Sequence, residues 1–285
     1  MDFDEANELI EHTDLEKVLI GKGVQLDHIN YLKYNCPIFL EDFYEECYER
    51  EVDKDCKGVL VSPKKIVSIN RANCEFSFYD NAAGKCSSDL NVYRMAKAIM
   101  HIKNDTLKQI YSWYETLYYP VDLIYLEDED IYMIGCDGNH RSLYALIVNA
   151  PVIKANVSYY KKNVEVYKAY LQYKALSDTY ALIDIDSSSF YQMKAKEYFF
   201  DYNGKEYYVE GYTFPKDENT NQYSKVKVEQ LENELRSDWK YLNSKILVNG
   251  IGKNYKVLDF CLNLTCKDDK QRKRIRQHII KRRLA

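Results

Sequence analysis

The segment from Val121 to Val157 constrains the fold more than any other part of the chain. Val121 to Leu126 reads as a strand, Glu127 to Asp130 as an acidic turn and Ile131 to Cys136 as a second strand. Asp137-Gly138-Asn139-His140-Arg141 follows at once, then a helical pattern from about Ser142 to Asn149, Pro151, and a third strand from Val152 to Val157. A chain that turns from strand to helix leaves the first helical N–H groups without intrahelical partners, at the positive end of the helix dipole. That end is an anion site where a glycine such as Gly138 lets a ligand approach the backbone. Arg141 would add a planar, permanently charged fork suited to phosphate, and His140 a donor or proton carrier. Asp137 would cap the helix or orient His140. The spacing is equally compatible with a simple capped helix whose Arg141 sits in a surface ion pair.

The flanking pattern sets the organisation. Leu107, Ile110, Tyr111, Tyr114, Leu117 and Tyr118 recur at helical spacing before Pro120, and Tyr93, Ala96 and Met100 mark a helix ahead of them. Val59-Leu60-Val61 and Ile66 to Ile69, separated by Ser62-Pro63, predict a strand pair. Nearer the start, Leu9, Ile10, Val18 and Leu19 lie on helical stripes that stop at Gly21 and Gly23. A second stripe, Leu40, Phe43, Tyr44 and Cys47, follows Pro37. Beyond residue 160 the sequence predicts a helix over 161–177 and a β-hairpin over 197–212 on Asn203-Gly204. Val228, Leu231, Leu235 and Leu242 mark another helix, and periodicity leaves Val257 to Leu264 as strand or helix. The expected fold class is α+β in three parts: an acidic helical cap (1–57), a central domain (58–160), and a Tyr-rich C-terminal region (161–285) ending in a basic helix.

Charge divides the chain unevenly. Residues 1–55 hold 16 acidic and 5 basic side chains, whereas residues 267–285 hold 2 acidic and 9 basic ones, inside a formal net charge of -4. The basic run, with Arg272, Lys273, Arg274, Arg276, Lys281, Arg282 and Arg283, suits contact with nucleic-acid phosphate or an acidic protein surface, including the acidic end of a second copy in a homo-oligomer. The acidic end reads first as a soluble surface, with a DNA-mimicking or nuclease-blocking face as the alternative. No stretch reaches the roughly 18 apolar residues of a membrane helix, so no membrane partner is expected. The acidic start is unlike a secretory signal, and a cytoplasmic location is expected. The eight cysteines form no CxxC pair and read as reduced thiols, and no metal site is expected. The phosphate-loop, dinucleotide-binding, zinc-protease and nucleophile-elbow motifs are absent. Tyr is abundant, 28 of 285 residues, beside many Lys, Asn and Ile. These residues share A/T-rich codons, as in a low-GC bacterium, its phages or its plasmids, and exposed Tyr also suits contact with a protein partner.

The stretch from about Val59 to residue 160, and above all DGNHRSLYALIVNAPVIKANV, resembles the ParB/sulfiredoxin superfamily. The resemblance covers roughly a third of the chain. It implies a nucleotide- or phosphate-binding domain in which Gly138, Asn139, His140 and Arg141 contact phosphate, with ATP or CTP and magnesium as cofactors. Sulfiredoxin-like members carry a Cys just before the His-Arg pair, where Asn139 stands here, and partition proteins append a helix-turn-helix reader that is not evident in the second half. A kinase-like activity needs a carboxylate near the phosphate. His140 and Asp137 are the catalytic candidates, with Glu75, Asp80 and Asp89 as others by location.

Two functions of different class follow. One is a nucleotide- or phosphate-binding protein, either a phosphotransferase or a nucleotide hydrolase. The other is a non-enzymatic phage or plasmid protein that binds and inhibits a host nuclease-type defence complex, in the host cytoplasm, through its Tyr-rich and charged surfaces. A DNA-binding adaptor using the C-terminal basic helix is a third.

Overall fold

Capping chemistry sets where the first helices begin. Asp2 accepts the Glu5 amide at 2.9 Å and Glu5 accepts the Asp2 amide at 2.8 Å, a reciprocal pair that opens α1 (Phe3–Glu11). Asp14 caps α2 (Leu15–Lys22), Gly23 ends it in the left-handed region, and α3 (Leu26–Tyr34) follows. The computed structural model describes residues 1–38, 47–180, 182–183, 197–202, 205–217, 219–243 and 254–284.

The chain divides into two compact units, residues 1–162 and 163–285. The first continues through β1 (Tyr48–Arg50), β2 (Cys56–Val61), β3 (Ile66–Ser68), α4 (Phe78–Ala82), α5 (Val92–Asn104) and α6 (Leu107–Glu115). It ends with β4 (Val121–Leu126), β5 (Ile131–Ile134), α7 (Asn139–Ile147) and β6 (Ile153–Lys162). The class is α+β with a mixed sheet. β6 pairs parallel with β4 on one side and antiparallel with β1 and β2 on the other; β4 pairs antiparallel with β5, and β5 parallel with β3. Alternate residues of β4 and β6, among them Val121, Leu123, Ala155 and Val157, enter a core shared with Ile99 of α5, Ile110 of α6 and Leu143 of α7.

That core differs from the expected organisation in three ways. Ala6, Leu15, Leu19, Ile29 and Leu32 of the first three helices are buried in it, so the acidic segment shares one compact unit with the central part of the chain instead of forming a separate part. The acidic side chains lie on outward faces, which leaves the apolar stripes free to pack inward. The two short strands near residue 60 do not pair with each other, because Pro63–Lys65 forms a 3-10 turn instead of a tight hairpin. β2 joins β6 while β3 joins β5. α7 begins three residues earlier than the apolar pattern indicated, directly after Gly138. The expected stripe at Leu40, Phe43 and Tyr44 lies outside the described residues.

The second unit comprises α8 (Val164–Tyr180), β7 (Leu182–Ile183), β8 (Glu197–Tyr202), β9 (Lys205–Glu210), α9 (Lys225–Leu242), α10 (Tyr255–Thr265) and α11 (Asp269–Leu284). The three strands form an antiparallel sheet in which Tyr202 faces Lys205; the expected Asn203-Gly204 turn between them lies outside the described residues. The segment from Val257 to Leu264, ambiguous by periodicity, is helical, and Asn254 caps it. Leu258 and Leu262 of α10 pack with Leu242 and with Ile275 and Ile279 of α11. Among the described residues, no helix is long and apolar enough to cross a membrane.

Candidate anion-binding site

The turn between β5 and α7 is held by the edge of β4. The Gly135 amide donates to the Asp122 carbonyl at 2.8 Å and the Asp122 amide to the Asp137 carbonyl at 3.0 Å, so the chain stays paired until the residue before Gly138. Gly138 then adopts a φ of +115°, and a Cβ there would lie 2.6 Å from Val121 Cβ. Glycine is therefore required twice, by conformation and by the close approach to β4. This reason is internal packing, distinct from the ligand approach that the sequence indicated.

α7 starts at this turn. The amides of Asn139, His140 and Arg141 have no partner among the described hydrogen bonds; the first turn closes with Ser142 donating to the Gly138 carbonyl at 2.8 Å. These donors border a cavity of about 390 Å3 enclosed by α5, α6 and α7. On α5, Arg94, Lys97 and His101 recur at i, i+3 and i+7 and turn one helix face toward it. Neither Arg94 nor Lys97 has a carboxylate partner among the described residues, and Asp137 is the only carboxylate among the described residues that line the cavity.

The motif residues hold unequal positions. Arg141 donates to Asp137 Oδ2 at 2.7 Å and to the Tyr119 carbonyl, so its guanidinium is already oriented. Asp137 Oδ1 accepts the Gly138 amide at 2.7 Å. Asp137 thus engages the turn and Arg141 but neither caps α7 by its side chain nor orients His140. Asn139 is buried and its Oδ1 accepts the Arg71 amide at 3.3 Å. His140, also buried, accepts the Asn91 amide on Nε2 at 2.8 Å. Burial, reinforced by the positive charges of Arg94 and Arg71, pushes its pKa down to about 4. The ring is therefore neutral at pH 7, and with Nε2 accepting the Asn91 amide its proton sits on Nδ1, so the ring is a donor rather than a base.

Among the other carboxylates named from location, Asp80 accepts the hydroxyl of Ser77, the N-cap of α4, at 2.6 Å in the first turn of that helix, and Glu75 and Asp89 do not line the cavity. No group of three or more His, Cys, Asp or Glu side chains suited to a metal occurs among the described residues. Magnesium binds through one or two carboxylates together with phosphate oxygens and water. Asp137 is the one residue of this cavity that fits that role.

The C-terminal cations are largely committed to the fold. Arg274 is only 4% exposed, and its Nε donates to the buried Asp238 at 2.8 Å, which removes it as a nucleic-acid contact. Apolar Ile275 and Ile279 anchor the same face of α11, and that anchoring carries Arg274 inward. Arg276 pairs with Asp259 at 3.3 Å, and Arg272 with Asp269 and with the Cys266 carbonyl. Lys273 is exposed, and the side chains of Lys281, Arg282 and Arg283 lie outside the described residues.

Sequence reasoning missed Arg94, Lys97, Trp113, Tyr114 and Tyr119, all of which line the cavity. The i, i+3 spacing of Arg94 and Lys97 was legible as a polar helix face, but nothing local linked that face to Gly138. Compared with models of protein families, with curated proteins and with solved structures, the chain has no match.

Proposed function

We propose that the first unit binds a phosphate-bearing ligand, a nucleotide or another phosphate compound, at the N-terminus of α7. The observation that carries this reading is the convergence on one cavity of two cations, Arg94 and Lys97, and three amides that have no partner among the described residues. Arg141 would reach phosphate by exchanging or sharing its contact with Asp137, and His140 would donate from Nδ1. The resemblance of this turn to the ParB/sulfiredoxin superfamily supports the same ligand class, with ATP or CTP and magnesium as the first compounds to try. In a phosphotransferase or nucleotide hydrolase, Asp137 would be the carboxylate nearest the phosphate, because His140 has its Nε2 lone pair occupied.

The test is a thermal-shift titration with ATP, ADP, CTP and GTP, with and without magnesium. A ligand at about a hundredfold excess over its dissociation constant adds roughly 2.7 kcal/mol to stability. The rise in Tm is expected for wild type and lost in Arg141→Ala and in the double variant Arg94→Ala, Lys97→Ala. No rise with any of the four overturns the nucleotide reading.

A second reading, a non-enzymatic phage or plasmid protein that inhibits a host nuclease-type defence complex, has its own support. Tyr34, Tyr118 and Tyr119 are 86%, 85% and 73% exposed, the kind of rigid amphipathic rings that anchor protein interfaces. It is tested by whether Tyr118→Ala, Tyr119→Ala abolishes protection of a phage or plasmid in a defended host while Arg141→Ala does not.

A further inference from the structure

The cavity at α7 has a second character that phosphate alone does not use. Away from the cations, its wall is formed by Ala98 and Ile102 of α5, Ile110, Trp113 and Tyr114 of α6, and Tyr144 of α7. Tyr144 spends its hydroxyl on the Ala82 carbonyl at 2.7 Å, so only its ring is offered. Tyr114 is different: it is 4% exposed, it lines the cavity, and its hydroxyl has no hydrogen-bond partner among the described residues. Burial pushes that hydroxyl's pKa up, so it stays protonated as a donor. Trp113, 41% exposed, packs edge-on against Tyr114 with ring centroids 4.9 Å apart.

Resting on the phosphate reading, the geometry points to a phosphate monoester with an apolar, ring-sized body: its phosphate at the α7 N-terminus with Arg94 and Lys97, its body between Ala98, Ile102 and Trp113. A cavity of about 390 Å3 falls within the range that encloses small organic ligands and exceeds what inorganic phosphate needs. Phosphate provides the charge that the cations and amides lack, and the body removes the apolar wall from water. Tyr114 meets one polar atom of the body. Trp113 and Ala98 would then be specificity-determining residues, while Arg94, Lys97 and Arg141 set affinity for the anion.

The experiment is calorimetric titration of the full chain with phenyl phosphate, methyl phosphate and inorganic phosphate. Phenyl phosphate is expected to bind at least tenfold more tightly than the other two. Trp113→Ala, a half-exposed position, and Ala98→Leu, which narrows the cavity with a good helix former, should each erase that advantage and leave inorganic phosphate affinity within about twofold of wild type. Equal affinity for the three compounds, or a preference that survives both substitutions, overturns the inference while phosphate binding stands. Binding of none of the three overturns the phosphate reading itself, and the inference with it.

Discussion

The backbone N–H of Asn91 donates to Nε2 of His140 at 2.8 Å, and Asn91 is also the N-cap of α5, where its side chain accepts the Arg94 amide at 3.1 Å. One residue thus sets the tautomer of the motif histidine and the start of the helix that carries Arg94 and Lys97. The motif and the cationic face of α5 are joined through Asn91, which lies 49 residues from His140 in sequence.

Acid should weaken the first unit through His140. The folded ring stays neutral down to about pH 4, whereas an unfolded histidine titrates near 6.5, so the unfolded state takes up the proton first. The stability held by the neutral ring is complete above pH 6.5 and is lost as pH falls toward 4, by up to roughly 3 kcal/mol at 1.36 kcal/mol per pH unit. Urea denaturation from pH 7 to 4 should show the stability gap between wild type and His140→Asn shrinking with acid. A gap that does not change with pH would contradict a neutral buried ring.

Gly138→Ala should destabilise the fold by at least about 2 kcal/mol, because it combines a left-handed backbone with a Cβ driven into Val121. The companion Val121→Ala, Gly138→Ala removes the clash but keeps the backbone strain. It should recover part of the loss beyond what Val121→Ala costs alone, a coupling that a double-mutant cycle measures.

Removing Arg274 leaves Asp238 charged, buried and short of its partner. Arg274→Ala should cost about 3–5 kcal/mol in the second unit, and Arg274→Met with Asp238→Leu considerably less. Thermal unfolding of the three proteins gives the ranking, and equal losses for the two variants would contradict the buried-charge account.

Deleting residues 267–285 should unfold the second unit, since Ile275 and Ile279 are completely buried with Leu258 and Leu262. Loss of DNA retention in that truncation would therefore say nothing about phosphate contacts. Charge reversal at the exposed Lys273 and Arg276 leaves the core intact. If α11 contacts DNA, Lys273→Glu, Arg276→Glu should flatten the salt dependence of retention while far-UV circular dichroism stays unchanged.

Much of the local structure is written in the sequence. The alternation from Val121 onward, the capping pair Asp2 and Glu5, the Thr106 and Gln109 pair that opens α6, and the glycine before α7 each act over a few residues, where backbone sterics and neighbouring side chains decide the outcome. The turn 137–141 was legible for the same reason. Other properties depend on residues far apart in the chain: the pairing of β3 with β5 rather than β2, the inward turn of Arg274, the neutral state of His140, and the meeting of Arg94, Lys97 and Trp113 with the α7 amides. Register and burial are set by how faces pack, and pKa by which charges packing brings near. By itself the sequence determined most of the local elements and several of their caps. Only the tertiary structure decided which of their faces meet, because the apolar free energy that drives them together is non-directional and is satisfied by the whole core at once.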